Sequence, residues 1–173
     1  MTELSRRVLV TGSRDWPSRK YVQSSLNSQW LKAHKRGLEL VVVQGECPSG
    51  ADLFAADWAK CREATGQFRV KNEPHPADWN RECDYHCTHA PRWKNGSRYC
   101  PVAGHLRNQK MVDLGADICI AFPLKDSRGT WDCMKRAKKA GISVINFGFG
   151  GPLCSPVVDY HIDPHTGPCA LAR

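Results

Sequence analysis

The stretch RVLVTGSRDW, residues 7–16, decides the fold. Val8, Leu9 and Val10 form an apolar run that stops at Gly12-Ser13, the pattern of a buried strand ended by a turn. After Pro17, residues Val22, Leu26, Trp30 and Ala33 fall four, four and three apart, the spacing of one helix face, and Gly37 closes that segment. LELVVV (residues 38–43) reads as a second strand ending at Gln44-Gly45. Ser49 is then placed to cap a helix that carries Leu53, Phe54, Trp58 and Cys61. The alternation continues with a short strand over residues 68–70, a clear one over DICIAF (117–122), a helix over 129–140 with Trp131, Met134 and Ala137 on one side, and a last strand over 142–145.

Strands alternating with helices return beside one another through right-handed crossovers, which places helices on both faces of a parallel sheet. The sequence therefore predicts an α/β chain, a Rossmann-like doubly wound parallel sheet. Two regions break the rhythm. Residues 78–104 hold Trp, Cys, His, Pro, Gly and basic side chains without apolar periodicity, over a length well beyond an ordinary connection of about six residues. This reads as an insertion inside a domain spanning 1–147. Residues 148–173, rich in Gly and Pro, read as an irregular C-terminal tail.

Composition narrows the function classes. The 173 residues carry a net charge of +8 and are 41% hydrophobic, the profile of one soluble domain, and a chain of this length buries roughly 70% of its unfolded surface. No apolar run approaches the roughly 20 residues of a membrane span, and the first ten residues are too short in apolar content for a secretory signal, so no membrane partner is expected. Nine cysteines, an odd count split between apolar segments and one His-rich stretch, are unlike a secreted disulfide framework. A reducing cytoplasm and a bound metal are expected instead. Eight basic and two acidic residues in 1–36, and six against three in 78–111, concentrate the positive charge. That charge suits an anionic small molecule, a nucleic-acid backbone or solvent.

Ligands of open parallel sheets sit beyond the carboxyl ends of the strands. At those ends lie Gly12-Ser13-Arg14, then Gly45 with Gly50 and Asp52, and then Ser127-Arg128-Gly129-Thr130. Each loop joins a glycine, which lets backbone approach a ligand, to a hydroxyl, and two add an arginine able to grip phosphate. GxGxxG and GxxxxGK[ST] are both absent. Within the insertion, Cys83-x3-Cys87-x-His89 is followed eleven residues later by Cys100. Soft thiolates with an imidazole in two clusters are how structural zinc sites enclose a metal. His86 and His105 are alternative ligands, and free cysteines in a loop or a redox pair are the competing readings. Cys154, His161, His165 and Cys169 in the tail carry no metal assignment.

RVLVTGSRDW, QGECPSGADLFAADWA, HPADW, AGHLRNQKMVDLGADICIAF and SRGTWDCMKRAKKAGISVINF, taken together over roughly residues 6–147, resemble the YspA-like, cpYpsA-related branch of the SLOG superfamily. The resemblance implies a Rossmann-like domain that binds nucleotides or nucleotide derivatives, in a superfamily that includes the Lonely Guy phosphoribohydrolases and ligand-sensing modules of phage defence. It also supports zinc, since related sequences often carry such an insertion. Arg107-Asn108-Gln109-Lys110-Met111 is similar to the RKxxM stretch of the Lonely Guy enzymes, with Asn108 at the lysine. Ser127 to Cys133 is similar to their PGGxGTxxE stretch, with Cys133 at the glutamate.

A neutral thiol gives little support to the cationic sugar formed when a ribosyl–base bond breaks. The expected function is therefore nucleotide binding without turnover, as a sensor or sequestering module with structural zinc. The alternative is a nucleotide N-glycosidase, in which Arg107 and Asp132 would be the catalytic residues. A third class, nucleic-acid binding, rests on Arg81, Arg92, Lys94 and Arg98 interleaved with Tyr85, Trp93 and Tyr99. A homo-oligomer stays open.

Overall fold

The structure is a computed structural model that describes residues 4–85, 87–90 and 92–148. The sequence readings for His86 and for the tail, its Cys/His set included, lie outside the described residues. The elements in order are β1 (Ser5–Gly12), α1 (Arg19–His34), β2 (Glu39–Gln44), α2 (Gly50–Thr65), β3 (Val70–Pro74), β4 (Arg92–Lys94), β5 (Ser97–Tyr99), α3 (Ala103–Asp113), β6 (Ile118–Phe122), α4 (Arg128–Lys139) and β7 (Val144–Asn146).

β1 is central because its residues are apolar on both faces. It pairs in parallel with β2 (Val8 beside Val42) and with β6 (Val10 beside Ile120), in the order β3-β2-β1-β6-β7. Val8 and Val10 turn toward α1 and α2, packing with Val22, Leu26, Ala55 and Trp58. Leu9 turns the other way, toward Met111 and Val112 of α3 and Cys133 and Ala137 of α4. Fully burying one such aliphatic side chain stabilises the fold by about 1.5–3 kcal/mol. This is the doubly wound sheet expected from the sequence.

α1 starts at Ser18, whose hydroxyl accepts from the Tyr21 N–H. α2 ends at Gly66, in the left-handed conformation at φ 65°. The buried stripe of α2 is Ala51, Asp52, Ala55, Ala56, Trp58 and Ala59. The four alanines among them let the helix lie close on the sheet.

Two expectations are corrected in detail. The third strand is not residues 68–70 but β3, VKNEP, of which only Val70 is buried. As an edge strand it tolerates polar residues and a terminal proline, while Phe68 packs edge-on against Trp30. Within the insertion, β4 and β5 pair antiparallel around Asn95-Gly96, with φ values of 51° and 77°. Asn-Gly at positive φ is the two-residue hairpin turn whose twist matches the strands. On α4 the buried stripe is Thr130, Cys133, Met134 and Ala137, whereas Trp131 is 44% exposed. Among the described residues no helix is long and apolar enough to cross a membrane.

Candidate functional site

The strand order reverses between β1 and β6, and their carboxyl ends are tied where the Ser13 N–H donates to the Phe122 carbonyl at 2.9 Å. A cleft of about 350 Å³ opens there, where the topology of an open α/β sheet puts ligands. Thr11, Gly12, Ser13, Arg14 and Asp15 form one wall. Asp126, Ser127, Arg128, Gly129 and Thr130, at the N-terminus of α4, form a second. Trp79, Pro101, Gly104, His105, Arg107 and Asn108 close the third side, with Cys47 and Asp52. In the first turn of α4 the Arg128 N–H donates to the Asp126 carbonyl at 2.9 Å, while the Gly129 and Thr130 N–H groups, at the positive end of the helix dipole, have no acceptor among the described residues. The cleft thus combines helix-terminal donors with three arginines, Arg14, Arg107 and Arg128, a chemistry that suits a compact anion.

Gly12, Ser13, Arg14, Asp52, Arg107, Asn108, Ser127, Arg128, Gly129 and Thr130 all line this cleft. Gly45 and Gly50 lie outside its lining. They act beneath it. A Cβ on Gly45 would overlap the Arg107 guanidinium, and one on Gly50, at φ +69°, would strike the Ser13 and Arg14 carbonyls. A Cβ on Gly12 would overlap Ala51, so the glycine lets α2 approach β1. Asp15 and Cys47 lie in the same strand-end loops, whereas sequence reasoning missed Thr11, Trp79, Pro101, Gly104, His105 and Asp126 as cleft residues. HPADW and AGHLRN carry the family likeness, yet only the tertiary fold brings Trp79 and His105 to the cleft.

Arg107 is largely held by the chain itself. Nη1 donates to the Gly45 and His75 carbonyls, and Nε donates to Asn108 Oδ1 at 3.1 Å. Nη2 is the nitrogen left for a ligand. Near it, Asp52 is 6% exposed, and its Oδ1 makes no hydrogen bond within the described chain. Burial pushes its carboxyl up to about 6, against the opposing pull of Arg107 and of the Gly45 and Gly12 backbone.

Asn108 Nδ2 donates at 3.0 Å to both the Gly129 carbonyl and Asp132 Oδ2. The same Asp132 oxygen contacts His105 Nδ1 at 3.0 Å and Arg136 Nε at 2.9 Å. Burial alone would raise the Asp132 carboxyl, but Arg136, His105 and Asn108 together hold it down at about 2. Asp132 does not line the cleft; it stands behind His105 and Asn108, which do. Cys133 is fully buried in the core, and burial pushes its thiol up to about 11.

The insertion brings Cys83, Cys87, His89 and Cys100 together, with all four donor atoms within 4.8 Å of one another. Cys83 Sγ lies 3.6 Å and Cys100 Sγ 3.7 Å from His89 Nε2, and Cys87 and Cys100 Sγ are 4.0 Å apart. Metal–sulfur and metal–nitrogen bonds of about 2.3 and 2.0–2.1 Å at tetrahedral angles give edges of about 3.6–3.8 Å. The cluster could therefore hold a metal ion at its centre. Arg81 Nη1 lies 3.1 Å from Cys87 Sγ and 3.5 Å from Cys100 Sγ, while its Nη2 pairs with Asp84 at 3.1 Å. His105, weighed as a substitute ligand, instead bonds Asp132.

A doubly wound α/β domain with a crevice at its switch point defines a broad class. The chain belongs within it to the YspA, cpYpsA-related SLOG family, whose pattern matches residues 6–82. It is 45% identical over 143 residues to the Gene 61 protein of Mycobacterium phage D29, covering 83% of this chain and 97% of that one. Its fold resembles that of DNA processing protein A (DprA) from Streptococcus pneumoniae, with a TM-score of 0.53 at 20% identity over 82% of this chain. The chain spans 50% of the length of DprA, and the likeness at that identity concerns the fold. Membership of the SLOG family supports a nucleotide-related function in general.

Proposed function

We propose that the switch-point cleft binds a phosphorylated nucleoside or nucleotide derivative without turning it over, and that the Cys83-Cys87-His89-Cys100 cluster holds a structural zinc. The observation that carries the first part is the meeting of Arg14, Arg128 and the α4 N-terminus in one cleft of about 350 Å³. In this reading the phosphate sits against Ser13, Arg14 and residues 127–130, where charge-assisted bonds are short and strong. Arg107 Nη2 and Asn108 bound the rest of the ligand. Binding without turnover is favoured because Cys133, at the position of the glutamate in the Lonely Guy stretch, is a buried neutral thiol that does not reach the cleft. Asp132, the other carboxylate of the hydrolase reading, is engaged by three donors behind the cleft wall.

Zinc suits the second part because three thiolates and an imidazole are its usual structural donors. The metal would supply folding free energy to a lobe with few buried apolar side chains, and Arg81 would offset the negative charge of three thiolates around a divalent ion.

Native mass spectrometry of freshly purified protein tests both parts. The expected mass carries one zinc and a co-purifying nucleotide; a chain with neither contradicts both assignments. Chromatography after long incubation with nucleoside monophosphates should show no free base. Ribose 5-phosphate release that disappears in Arg107→Ala would instead establish a hydrolase.

A further inference from the structure

Residues 85–112 contain no Asp or Glu but hold Arg92, Lys94, Arg98, Arg107 and Lys110. Three of these cations fall on the β4–β5 hairpin, whose residues are exposed except for the half-buried Tyr99. Cross-strand pairing sets Trp93 beside Arg98, Arg92 beside Tyr99 and Lys94 beside Ser97. Because side chains alternate across a strand, Trp93 and Arg98 share one face, while Arg92, Lys94 and Tyr99 share the other. Trp93 is 68% exposed. An indole held in water at mid-strand of a cationic hairpin costs solvation without any return in core packing, and it presents its π-face to solvent.

The hairpin is also held in place. Two strands of three residues are marginal by themselves. Here His89 stands three residues before β4 and Cys100 immediately follows β5, so the four-donor cluster clamps both ends. The Cys100 N–H donates to the Trp79 carbonyl at 2.9 Å, which fixes the lobe to the cleft wall. Arg98 and Tyr99 further line a groove of about 340 Å³ with Asn80, Arg81, Glu82 and Cys83.

We infer that the β4–β5 hairpin is a binding surface for single-stranded nucleic acid, on which an unpaired base stacks on Trp93 while Arg98 and the opposite-face pair Arg92 and Lys94 contact the flanking phosphates. The occupant follows from charge complementarity combined with a free aromatic face. A backbone of one negative charge per nucleotide matches the acid-free run of cations, and stacking needs a base released from its duplex partner. The surface lies on the insertion, so it does not depend on the nucleotide reading of the cleft.

Fluorescence anisotropy of a labelled, mixed-sequence 12-nucleotide single strand, with the full chain at 50–200 mM salt, tests the inference. The single strand is expected to bind more tightly than the same sequence as a duplex. Trp93→Ala should weaken it about 5- to 100-fold, and Trp93→Phe should recover most of the affinity. Arg98→Ala should lower the slope of log affinity against log salt by about 0.7. Unchanged metal content and unchanged calorimetry with mononucleotides in these variants keep a damaged lobe or cleft from mimicking the effect. No anisotropy change at 100 µM protein in 50 mM salt, equal affinity for Trp93→Ala, or association with anionic lipid vesicles in place of the oligonucleotide would overturn it. Arg14→Ala should leave oligonucleotide binding intact, which separates failure of the lobe from failure of the cleft.

Discussion

Asn108 Nδ2 and the Gly129 carbonyl oxygen lie 3.0 Å apart, so one buried amide fastens α3 to the first turn of α4. The two segments similar to the Lonely Guy stretches are thereby one physical unit. The amide spans Gly129 and Asp132 on one side and Arg107 Nε on the other. Asn108→Ala removes one donor from the Gly129 carbonyl and the Asp132 carboxylate and one acceptor from Arg107, at a cost of about 1–3 kcal/mol. Denaturant unfolding should show that loss, with the midpoint moving and the slope unchanged. A variant as stable as the parent would mean that water replaces the amide.

Asp52 makes a pH prediction with a definite sign. Its carboxyl is raised to about 6 in the folded chain from a usual value of 3.8, so the folded state binds the proton more tightly than the unfolded state. The associated stability is present at low pH and disappears as pH rises from about 4 to 6, by about 3 kcal/mol in total. The difference in unfolding free energy between the parent and Asp52→Asn should therefore vary across pH 4–6.5 and flatten above it. A constant difference across that window would show that Asp52 ionises normally.

Gly12 and Gly129 both line the cleft, in different walls and for different reasons. A Cβ at Gly12 meets Ala51 Cβ and Phe122, both parts of the packed core, whereas a Cβ at Gly129 meets nothing within 4 Å. Gly12→Ala should cost about 1–3 kcal/mol, because α2 or β6 has to shift. Gly129→Ala, inside α4, should raise stability by about 0.5–1 kcal/mol through backbone entropy. Thermal melts of the two variants moving in opposite directions would verify the contrast.

Arg81 should govern how firmly the metal is held. Its guanidinium faces two sulfurs and is braced by Asp84. Removing such an outer partner typically lowers metal affinity 10- to 100-fold. Arg81→Ala should release metal to a chelator at lower concentrations than the parent, and Cys87→Ser or Cys100→Ser should not retain it. Metal retention in Arg81→Ala equal to the parent would make the contact incidental.

Much of this was legible in the sequence because it depends on local pattern. Val8 to Val10, Leu40 to Val43 and Ile118 to Phe122 are apolar on both faces, which only a central parallel strand requires. The Cys/His spacing identified a cluster that the fold then closes. β3 was displaced because an edge strand shows no apolar run, and the β4–β5 hairpin was overlooked although Asn95-Gly96 is a strong turn signal. The hold of the Gly45 carbonyl on Arg107, 62 residues away, has no local signature at all. It leaves Arg107 as a wall residue offering one nitrogen.

The central claim is that the switch-point cleft grips phosphate through Arg14 and Arg128. Isothermal titration calorimetry with a panel of adenine and guanine nucleotides, linear and cyclic, run on the parent, Arg14→Ala and Arg128→Ala, tests it most directly. Saturable binding of at least one nucleotide by the parent is expected, weakened by about 1.5–3 kcal/mol in each variant. Absence of binding by the parent at millimolar nucleotide, or affinity unchanged in both variants, would contradict it.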